Sequence, residues 1–271
     1  MINAEDILRR LTADERKSID GIDCFDEIDS TNDWLMTLAP PAPGRFQFAI
    51  ADEQTAGRGQ HDRSWASPKG AALYLSMAYT FAETPRHLQA LTLALGASVA
   101  DALLELGVAD VALKWPNDIM ARDGKLGGIL TEARSQQGRF SNVVVGLGLN
   151  VELPDALREQ LESERTLRVS DLQACLDVLP PLDELAAIVI HSLIKGSNRF
   201  SGDAAGEWRD AWQRYDWLQD KGVYIEQLGG PVVGTAEGID TDGALLVRTK
   251  GQVVRVVSGT VALQGPMEGF A

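Results

Sequence analysis

The most informative stretch of this sequence is Gly57-Arg58-Gly59-Gln60-His61-Asp62-Arg63-Ser64-Trp65. It is polar, contains glycine, and follows neither the period of a helix nor that of a strand. The apolar runs 46–51 and 71–80 on either side of it are strand-like. Long loops inside compact domains are more often functional than idle. The pattern therefore predicts two strands separated by a functional loop.

Outward from this loop, helices and strands alternate irregularly along the chain. Leucine and valine recur at helical spacing from Leu88 to Leu106, and Gly107 is well placed to end that helix. Further predicted helices cover 4–17, the segment after Ser30, 182–194 and 204–217, and further predicted strands lie around 111–113 and 143–149. Because strict strand–helix–strand alternation is missing, we predict an α+β fold with a mixed or antiparallel sheet.

The pattern of residues changes after about residue 220. Short β-rich runs separated by glycine-containing turn signals occupy 223–225, 232–234, 244–247, 253–257 and 261–263. Some five strands in such a short stretch are typical of a small barrel. We therefore predict a large domain over residues 1–219 and a small β-domain over 220–271.

Composition excludes several classes of protein. The chain has 271 residues, 45% of them apolar, and a net charge of −14, which fits a globular protein and argues against a general nucleic-acid binder. Cys24 and Cys175 are the only cysteines, so a disulfide framework or a cysteine-built zinc site is not expected. The sequence has no signal-peptide pattern and no apolar run of about 18 residues, so we expect a cytoplasmic protein without a membrane partner.

Several short motifs carry candidate chemistry, although each also has a plain structural interpretation. In the loop, Arg58 and Arg63 can pair with phosphate or carboxylate, but a solvated turn explains the same residues equally well. The run Lys114-Trp-Pro-Asn-Asp118 ends a predicted strand, and Lys125 precedes the glycine pair 127–128. The glycines of 146–150 lie inside a strand, which indicates that a ligand or another backbone passes close by. The three histidines are dispersed, and nothing supports a hydrolytic triad.

Taken together and in this order, the motifs resemble the biotin protein ligase family. The matching segments are Asp29-Ser-Thr-Asn32, Gln54-Thr-Ala-Gly-Arg-Gly59 through Trp65, Leu73-Tyr-Leu-Ser-Met77, Lys114–Asp118, Lys125-Leu-Gly-Gly-Ile-Leu130, Gly146-Leu-Gly-Leu-Asn150 and the tail segment Gly238–Leu246. The resemblance spans about residues 27 to 263. Each motif is modest, but the ordered combination is specific.

The resemblance implies a fold and a two-step reaction. The fold would be a catalytic domain related to class II aminoacyl-tRNA synthetases, followed by an SH3-like β-barrel. ATP and Mg²⁺ would convert the carboxylate of biotin into biotinyl-5′-AMP with loss of pyrophosphate. The ε-amine of a lysine on a biotin carboxyl carrier protein, a part of acetyl-CoA carboxylase, would then attack this anhydride.

The resemblance also implies roles for individual residues. Catalytic roles fall to Lys125, Arg58 and Asp118, and Asp118 is also a candidate Mg²⁺ ligand. Biotin would be bound by Ser30, Thr31, Asn32, Gln54, Gly57, Arg58, Gly59, Trp65, Tyr74, Lys125, Gly128 and Gly146. ATP and the adenylate would be bound by Arg58, Arg63, Trp65, Lys114, Asn117, Asp118, Lys125 and Asn150.

Two alternatives and several departures stand beside this interpretation. A lipoate or octanoate ligase or transferase would share the scaffold, and a non-catalytic biotin-binding module would bind biotin without forming an adenylate. The family loop usually reads Gly-Arg-Gly-Arg-x-Gly-Arg-x-Trp, whereas Gln60 and Asp62 stand here, and Thr260 and Gln264 depart from the tail of some members. Only 26 residues precede Glu27, so we expect the monofunctional form, without a DNA-binding domain or DNA as a partner.

Overall fold

A seven-stranded mixed sheet forms the large domain. The computed structural model describes residues 2–60, 63–134, 141–164, 168–202 and 206–264. The strands are β1 (Ile19–Phe25), β2 (Phe46–Ala51), β3 (Ala72–Phe81), β4 (Ala112–Lys114), β5 (Asp118–Ala121), β6 (Gly124–Arg134) and β7 (Ser141–Asn150), in the order β1-β2-β3-β7-β6-β5-β4. β1 runs parallel to β2, and the other neighbours are antiparallel. The predicted α+β class with a mixed sheet is confirmed.

Helices cover both faces of this sheet. They are α1 (Ala4–Arg10), α2 (Ala13–Ser18), α3 (Thr31–Thr37), α4 (Leu91–Leu106), α5 (Asp155–Glu164), α6 (Leu172–Cys175), α7 (Leu182–Gly202) and α8 (Glu207–Gln213). α4 and α7 pack against each other and against the sheet, where they bury the main core. α3 packs on β2, β3 and β7 over a small separate cluster that includes Leu35 and Val144. The site described below begins at the N-terminus of α3.

The central helix α4 forms as its leucine spacing predicts. It ends at Gly107, whose φ of +114° is left-handed backbone that glycine adopts without a Cβ penalty. By length and composition alone, Leu88–Leu106 could cross a membrane, and it is the one such stretch in the described part of the chain. Its apolar side chains instead pack against α7 and the sheet, as expected of a core helix.

The sequence-based boundaries differ from the structure at the N-terminal edge. The single helix predicted for 4–17 is broken where Leu11 ends α1 and Thr12 caps α2 in a capping box with Glu15. β1 was not predicted, because its alternation is blurred by acidic residues that an edge strand tolerates. The helix predicted over 204–217 is the shorter α8, and residues 203–205 lie outside the described ranges.

The C-terminal SH3-like domain is a five-stranded antiparallel sheet, as the short β-rich runs predict. Its strands are β8 (Gly222–Glu226), β9 (Val232–Ile239), β10 (Leu245–Arg248), β11 (Val253–Val256) and β12 (Thr260–Leu263), in the order β11-β10-β9-β8-β12. The indole of Trp115 donates to the Gly243 carbonyl at 2.9 Å, which ties this domain to the β4–β5 turn. Residues 259–261, at the start of β12, lie beside residues of the large sheet.

Candidate active site

A cavity of about 600 Å³ opens on the α3 side of the large sheet. Its floor is formed by β3, β6 and β7, and its walls by the N-terminus of α3, the segment 54–66 and the β4–β5 turn. Leu153, Leu161 and Val169 of the large domain and residues 259–261 of the C-terminal domain also line it. His61 and Asp62, which belong to the predicted ligand loop, lie outside the described residues.

One end of the cavity is neutral and hydrogen-bonded. Ser30 caps α3 by accepting from the backbone N–H of Asp33, which places Thr31 and Asn32 in the first turn. Gln54 Oε1 accepts from the backbone N–H of Thr31 at 2.9 Å, and the Thr31 hydroxyl lies 2.7 Å from that of Ser76 on β3. These side chains are buried or half-buried and hold one another before any ligand arrives.

Two glycines of β7 make room for side chains of this site. A Cβ on Gly146 would meet Asn32 Oδ1 at 2.4 Å, and one on Gly148 would meet the Trp65 indole at 2.6 Å. We expected a ligand or another backbone to pass these glycines. The Asn32 amide and the Trp65 ring pack against these glycines and form part of the cavity wall, and both glycines line the cavity, so the passage of a ligand beside them stays a prediction.

Arg58 lies between the two ends of the cavity. Its guanidinium pairs with Asp33 at 2.5 Å and with Glu132 at 3.0 Å. Burial alone would lower the pKa of Arg58, but the Glu132 and Asp33 carboxylates more than offset it, so the pKa is raised. Its Nε is buried and has no hydrogen-bond partner among the described residues, which leaves one donor to be satisfied.

The other end of the cavity is cationic. Lys125 Nζ lies 2.5 Å from Asp118 Oδ1 and 5.1 Å from the centre of the Trp65 ring. Lys114, at the end of β4, is buried, and this burial lowers its pKa; Lys125 and Arg63 lower it further, and Asp118 opposes them. Arg63 donates to the Thr260 hydroxyl of β12 at 2.9 Å.

The charge of the cavity is opposite to that of the whole chain. Arg58, Arg63, Lys114 and Lys125 all line it, and Asp118 is the one acidic residue among its described lining residues. The chain as a whole carries −14. A cationic pocket in an acidic protein concentrates anionic ligands there.

Some predicted site residues serve the framework of the site. Asn117 donates to the Ile129 carbonyl and Asn150 to the carbonyls of Lys125 and Ser170, so both line the cavity while they fix its backbone. Tyr74 and Gly57 do not appear among the lining residues. The Tyr74 hydroxyl instead donates to the Pro68 carbonyl at 3.0 Å.

Two residues of the site were not assigned from the sequence. Ser76 lies within the matched segment 73–77, and its hydroxyl bonds to both Thr31 and Asn32. Glu132 lies on β6 two residues beyond Leu130 and bonds to Asn32 and Arg58. The two-residue period of a strand puts Glu132 on the same face as Gly128 and Leu130, which is a signal that the sequence contained.

The residues present can assist Mg²⁺ but cannot enclose it. No group of three or more metal-ligating side chains occurs in the described part of the chain. Mg²⁺ in nucleotide sites is usually held by phosphates, water and one or two carboxylates. Asp118 fits the role of a single carboxylate ligand, in competition with its ion pair to Lys125.

Comparison with known proteins identifies the family. The model of the biotin/lipoate A/B protein ligase family matches residues 11–150, and that of the biotin protein ligase C-terminal domain matches residues 220–264. The chain belongs to the biotin/lipoate A/B protein ligase family. The matched segments contain all the described residues that line the cavity except Leu153, Leu161 and Val169.

Individual relatives point the same way. The chain is 33% identical to a biotin–[acetyl-CoA-carboxylase] ligase of Mycobacterium tuberculosis, over 89% of this chain and 88% of that protein. It is 30% identical to the bifunctional ligase/repressor BirA of Escherichia coli, over 97% of this chain and 78% of that protein. Among solved structures, a biotin protein ligase from Aquifex aeolicus in complex with biotin and ATP superposes with a TM-score of 0.75 at 27% identity, covering 90% of this chain and 99% of that one.

Proposed function

We propose that this protein is an ATP-dependent biotin protein ligase. It would join the carboxylate of biotin to AMP with release of pyrophosphate, and then pass the biotinyl group to a lysine of a biotin carboxyl carrier protein. The observation that carries the proposal is the division of one cavity into a neutral hydrogen-bonding end and a cationic end. Such a cavity can hold a neutral ring at one end and bring a carboxylate and a phosphate together at the other.

The first step requires compensation of negative charge rather than a nucleophile from the enzyme. A biotin carboxylate oxygen attacks the α-phosphorus, and the bond to pyrophosphate breaks. Lys125 is placed to reach both anions once a phosphate competes with Asp118 for its ammonium group. Arg63, Lys114 and Arg58 would hold the phosphates, and Mg²⁺ supplies further charge compensation when ATP is bound.

The second step is acyl transfer to an amine. The acceptor lysine arrives as an ammonium group and attacks as the neutral amine after losing a proton to solvent. Its nitrogen bonds to the biotinyl carbonyl carbon, the bond from that carbon to the AMP oxygen breaks, and the new amide nitrogen releases a second proton to solvent. Asp118 is the one carboxylate among the described lining residues, so we assign to it the orientation of the incoming ammonium group. Lys125 would stabilise the departing phosphate.

Biotin itself would lie along the neutral end of the cavity. Ser30, Thr31, Asn32 and Gln54 would bond to its ureido ring, with the backbone near Gly128 close by. Trp65 would cover the aliphatic chain. Gly57 would act by allowing the tight turn of the loop, since a Cβ there would meet Ser67 Oγ at 2.5 Å.

Lipoate or octanoate transfer is the nearest alternative, because the matching family includes lipoate ligases. The match of residues 220–264 to a biotin protein ligase C-terminal domain favours biotin. A non-catalytic biotin-binding module is disfavoured, since Lys125 and the other cations of the site are all in place. A cytoplasmic location and the absence of DNA binding remain predictions.

The decisive experiment is biotin-dependent exchange of radioactive pyrophosphate into ATP, with lipoate and octanoate as comparison substrates. A ligase for biotin gives exchange with biotin alone. Exchange with lipoate or octanoate would support the alternative activity, and biotin binding without exchange would support the binding module. Transfer of biotin to a purified carrier domain then tests the second step.

A further inference from the structure

Glu132 lies just outside the cavity but is bonded to two residues that line it. Its Oε2 accepts from the Asn32 side-chain amide at 2.8 Å and from Arg58 at 3.0 Å. The side chain is only 25% exposed. As the anionic partner of the Arg58 guanidinium, the Glu132 carboxylate can only accept hydrogen bonds.

This restriction fixes the direction of each bond that follows. Asn32 must turn its NH₂ group towards Glu132, so its Oδ1 faces Ser76, whose hydroxyl donates to it at 2.6 Å. Ser76 has then used its only proton. The Thr31 hydroxyl, 2.7 Å away, therefore donates to Ser76, and it shares its one proton with Gln54 Oε1 at 3.0 Å.

At the opposite end of this series of hydrogen bonds, the direction of each bond is fixed in the same way. The Trp65 backbone carbonyl can only accept, and the Ser67 hydroxyl donates to it at 3.0 Å. Gln54 therefore donates its NH₂ group to Ser67 at 3.1 Å and turns Oε1 towards Thr31, whose backbone N–H donates to it at 2.9 Å. Two acceptor-only groups, the Glu132 carboxylate and the Trp65 carbonyl, thus fix the amide orientations of Asn32 and Gln54, and the two series of bonds meet at the single hydroxyl proton of Thr31.

The outcome determines what the cavity offers to a ligand. Thr31 is left with acceptor lone pairs, because its one hydroxyl proton is taken up between Ser76 and Gln54. Asn32 and Gln54 each retain one uncommitted N–H of their NH₂ groups. Acceptors and donors side by side suit a planar group that carries both N–H and C=O, such as a cyclic urea.

We propose that Glu132 is a positioning residue that sets the hydrogen-bonding polarity of the biotin end of the cavity through Asn32 and Ser76. The inference rests on the proposed function, because it assigns this end of the cavity to the biotin ring. Without an acceptor at position 132 the Asn32 amide is free to rotate by half a turn. Ser76 and Thr31 would then present the wrong groups to the ligand.

Two substitutions at Glu132 distinguish its role as a hydrogen-bond acceptor from the effects of its charge and of its bulk. Glu132→Gln keeps an oxygen that can accept from Asn32, whereas Glu132→Leu keeps the bulk and removes the acceptor. We expect the dissociation constant for biotin, measured by calorimetry without ATP, to rise less than about threefold in Glu132→Gln. In Glu132→Leu it should rise about tenfold or more, the range expected when buried polar groups lose their partners. Equal weakening in both variants would overturn the proposal in favour of a purely electrostatic role.

A double-mutant cycle tests whether the effect passes through Asn32. If it does, adding Glu132→Leu to Asn32→Ala should change biotin affinity less than about twofold. Full additivity would contradict the proposed route. Thr131→Val is the matched control, because Thr131 neighbours Glu132 on β6 but bonds to Thr92, so biotin affinity should stay at the wild-type value.

The failure of this inference is distinguishable from failure of the proposed function. If wild-type protein binds biotin and Glu132→Leu binds it equally well while melting normally, only the role of Glu132 is wrong. If wild-type protein binds no biotin but binds lipoate or octanoate, the proposed function is wrong and the inference falls with it.

Discussion

The two ends of the cavity are built in opposite ways. At the neutral end, buried hydroxyl and amide groups satisfy one another through a continuous series of hydrogen bonds. At the cationic end, positive side chains outnumber acids, and buried Lys114 has a lowered pKa because burial disfavours its charge. The neutral end is therefore organised before a ligand binds, whereas the cationic end has an excess of positive charge that an anionic ligand would balance. Substitutions at each end, and at the wall between them, test this contrast.

The largest effect should come from removing the cation nearest the reacting groups. In Lys125→Ala, biotin-dependent pyrophosphate exchange should fall about 100-fold or more, since a donor aimed at developing charge contributes roughly 3 kcal/mol. The melting temperature should also fall, because the substitution leaves the largely buried Asp118 carboxylate without its ion-pair partner, so exchange is measured at a temperature where the variant is folded. Lys250→Ala, at an exposed position of the C-terminal domain, is the control. Exchange at the wild-type rate in Lys125→Ala would remove this residue from the mechanism.

Adding a single methyl group at Gly148, where the Trp65 ring forms the cavity wall, should lower both stability and activity. Gly148→Ala places a Cβ about 2.6 Å from the Trp65 ring and must displace it. We expect a loss of roughly 1–3 kcal/mol in stability and a fall of about tenfold or more in exchange activity. Gly21→Ala, where the added Cβ meets nothing within 4 Å, should behave like wild type. An unchanged Gly148→Ala variant would mean that Trp65 can leave this position at no cost.

Lys114 should show a trade-off between stability and nucleotide binding. Burial lowers its pKa below 10.5, so the unfolded chain binds the proton more tightly, and the charge costs stability until the pH approaches 10.5. Lys114→Met should therefore be more stable than wild type at neutral pH, with a gain that shrinks as the pH rises towards that value. ATP affinity should fall about tenfold, because the variant cannot pair with a phosphate. Denaturant titrations at several pH values check the first effect, and a gain independent of pH would contradict it.

The presence of Gln60 where the family usually has arginine should have a smaller effect, on the rate at which biotinyl-5′-AMP is released. Gln60 offers only neutral hydrogen bonds, whereas arginine would add a charge-assisted one worth roughly 1 kcal/mol more. Gln60→Arg should therefore slow the escape of biotinyl-5′-AMP from single-turnover complexes by a few-fold to about tenfold. Equal release rates would mean that another contact braces the loop. A pair between Asp62 and Arg63 is the candidate that the sequence suggests, although Asp62 lies outside the described residues.

The smallest effect should come from the contact between domains. Thr260→Val removes the hydroxyl that accepts from Arg63, an exposed bond worth about 0.5–1 kcal/mol. Release of biotinyl-5′-AMP should then accelerate about two- to fivefold, with Thr235→Val on an exposed position of β9 as the control. An unchanged release rate would show that β12 lines the cavity without holding the loop.

The sequence by itself determined the elements with strong local signals. β2 and β3 follow from uninterrupted apolar runs, α4 from its leucine spacing and the terminal Gly107, and the C-terminal strands from short β-rich runs between turns. The ordered motifs also determined the family, because the segments around Arg58, Lys114 and Lys125 match it jointly. Such information is local along the chain, so a reader of the sequence can recover it.

The tertiary structure decided which of these residues touch. The pairing of β6 with β7 brings Glu132 close to Asn32, a hundred residues away in the chain, and the packing of α3 on the sheet puts Asn32 over Gly146. The tertiary structure also bonds the Tyr74 hydroxyl to the Pro68 carbonyl and places the Trp65 ring beside Gly148. Strand pairing and helix packing act between distant segments, and no local pattern specifies which side chains they bring within hydrogen-bonding distance.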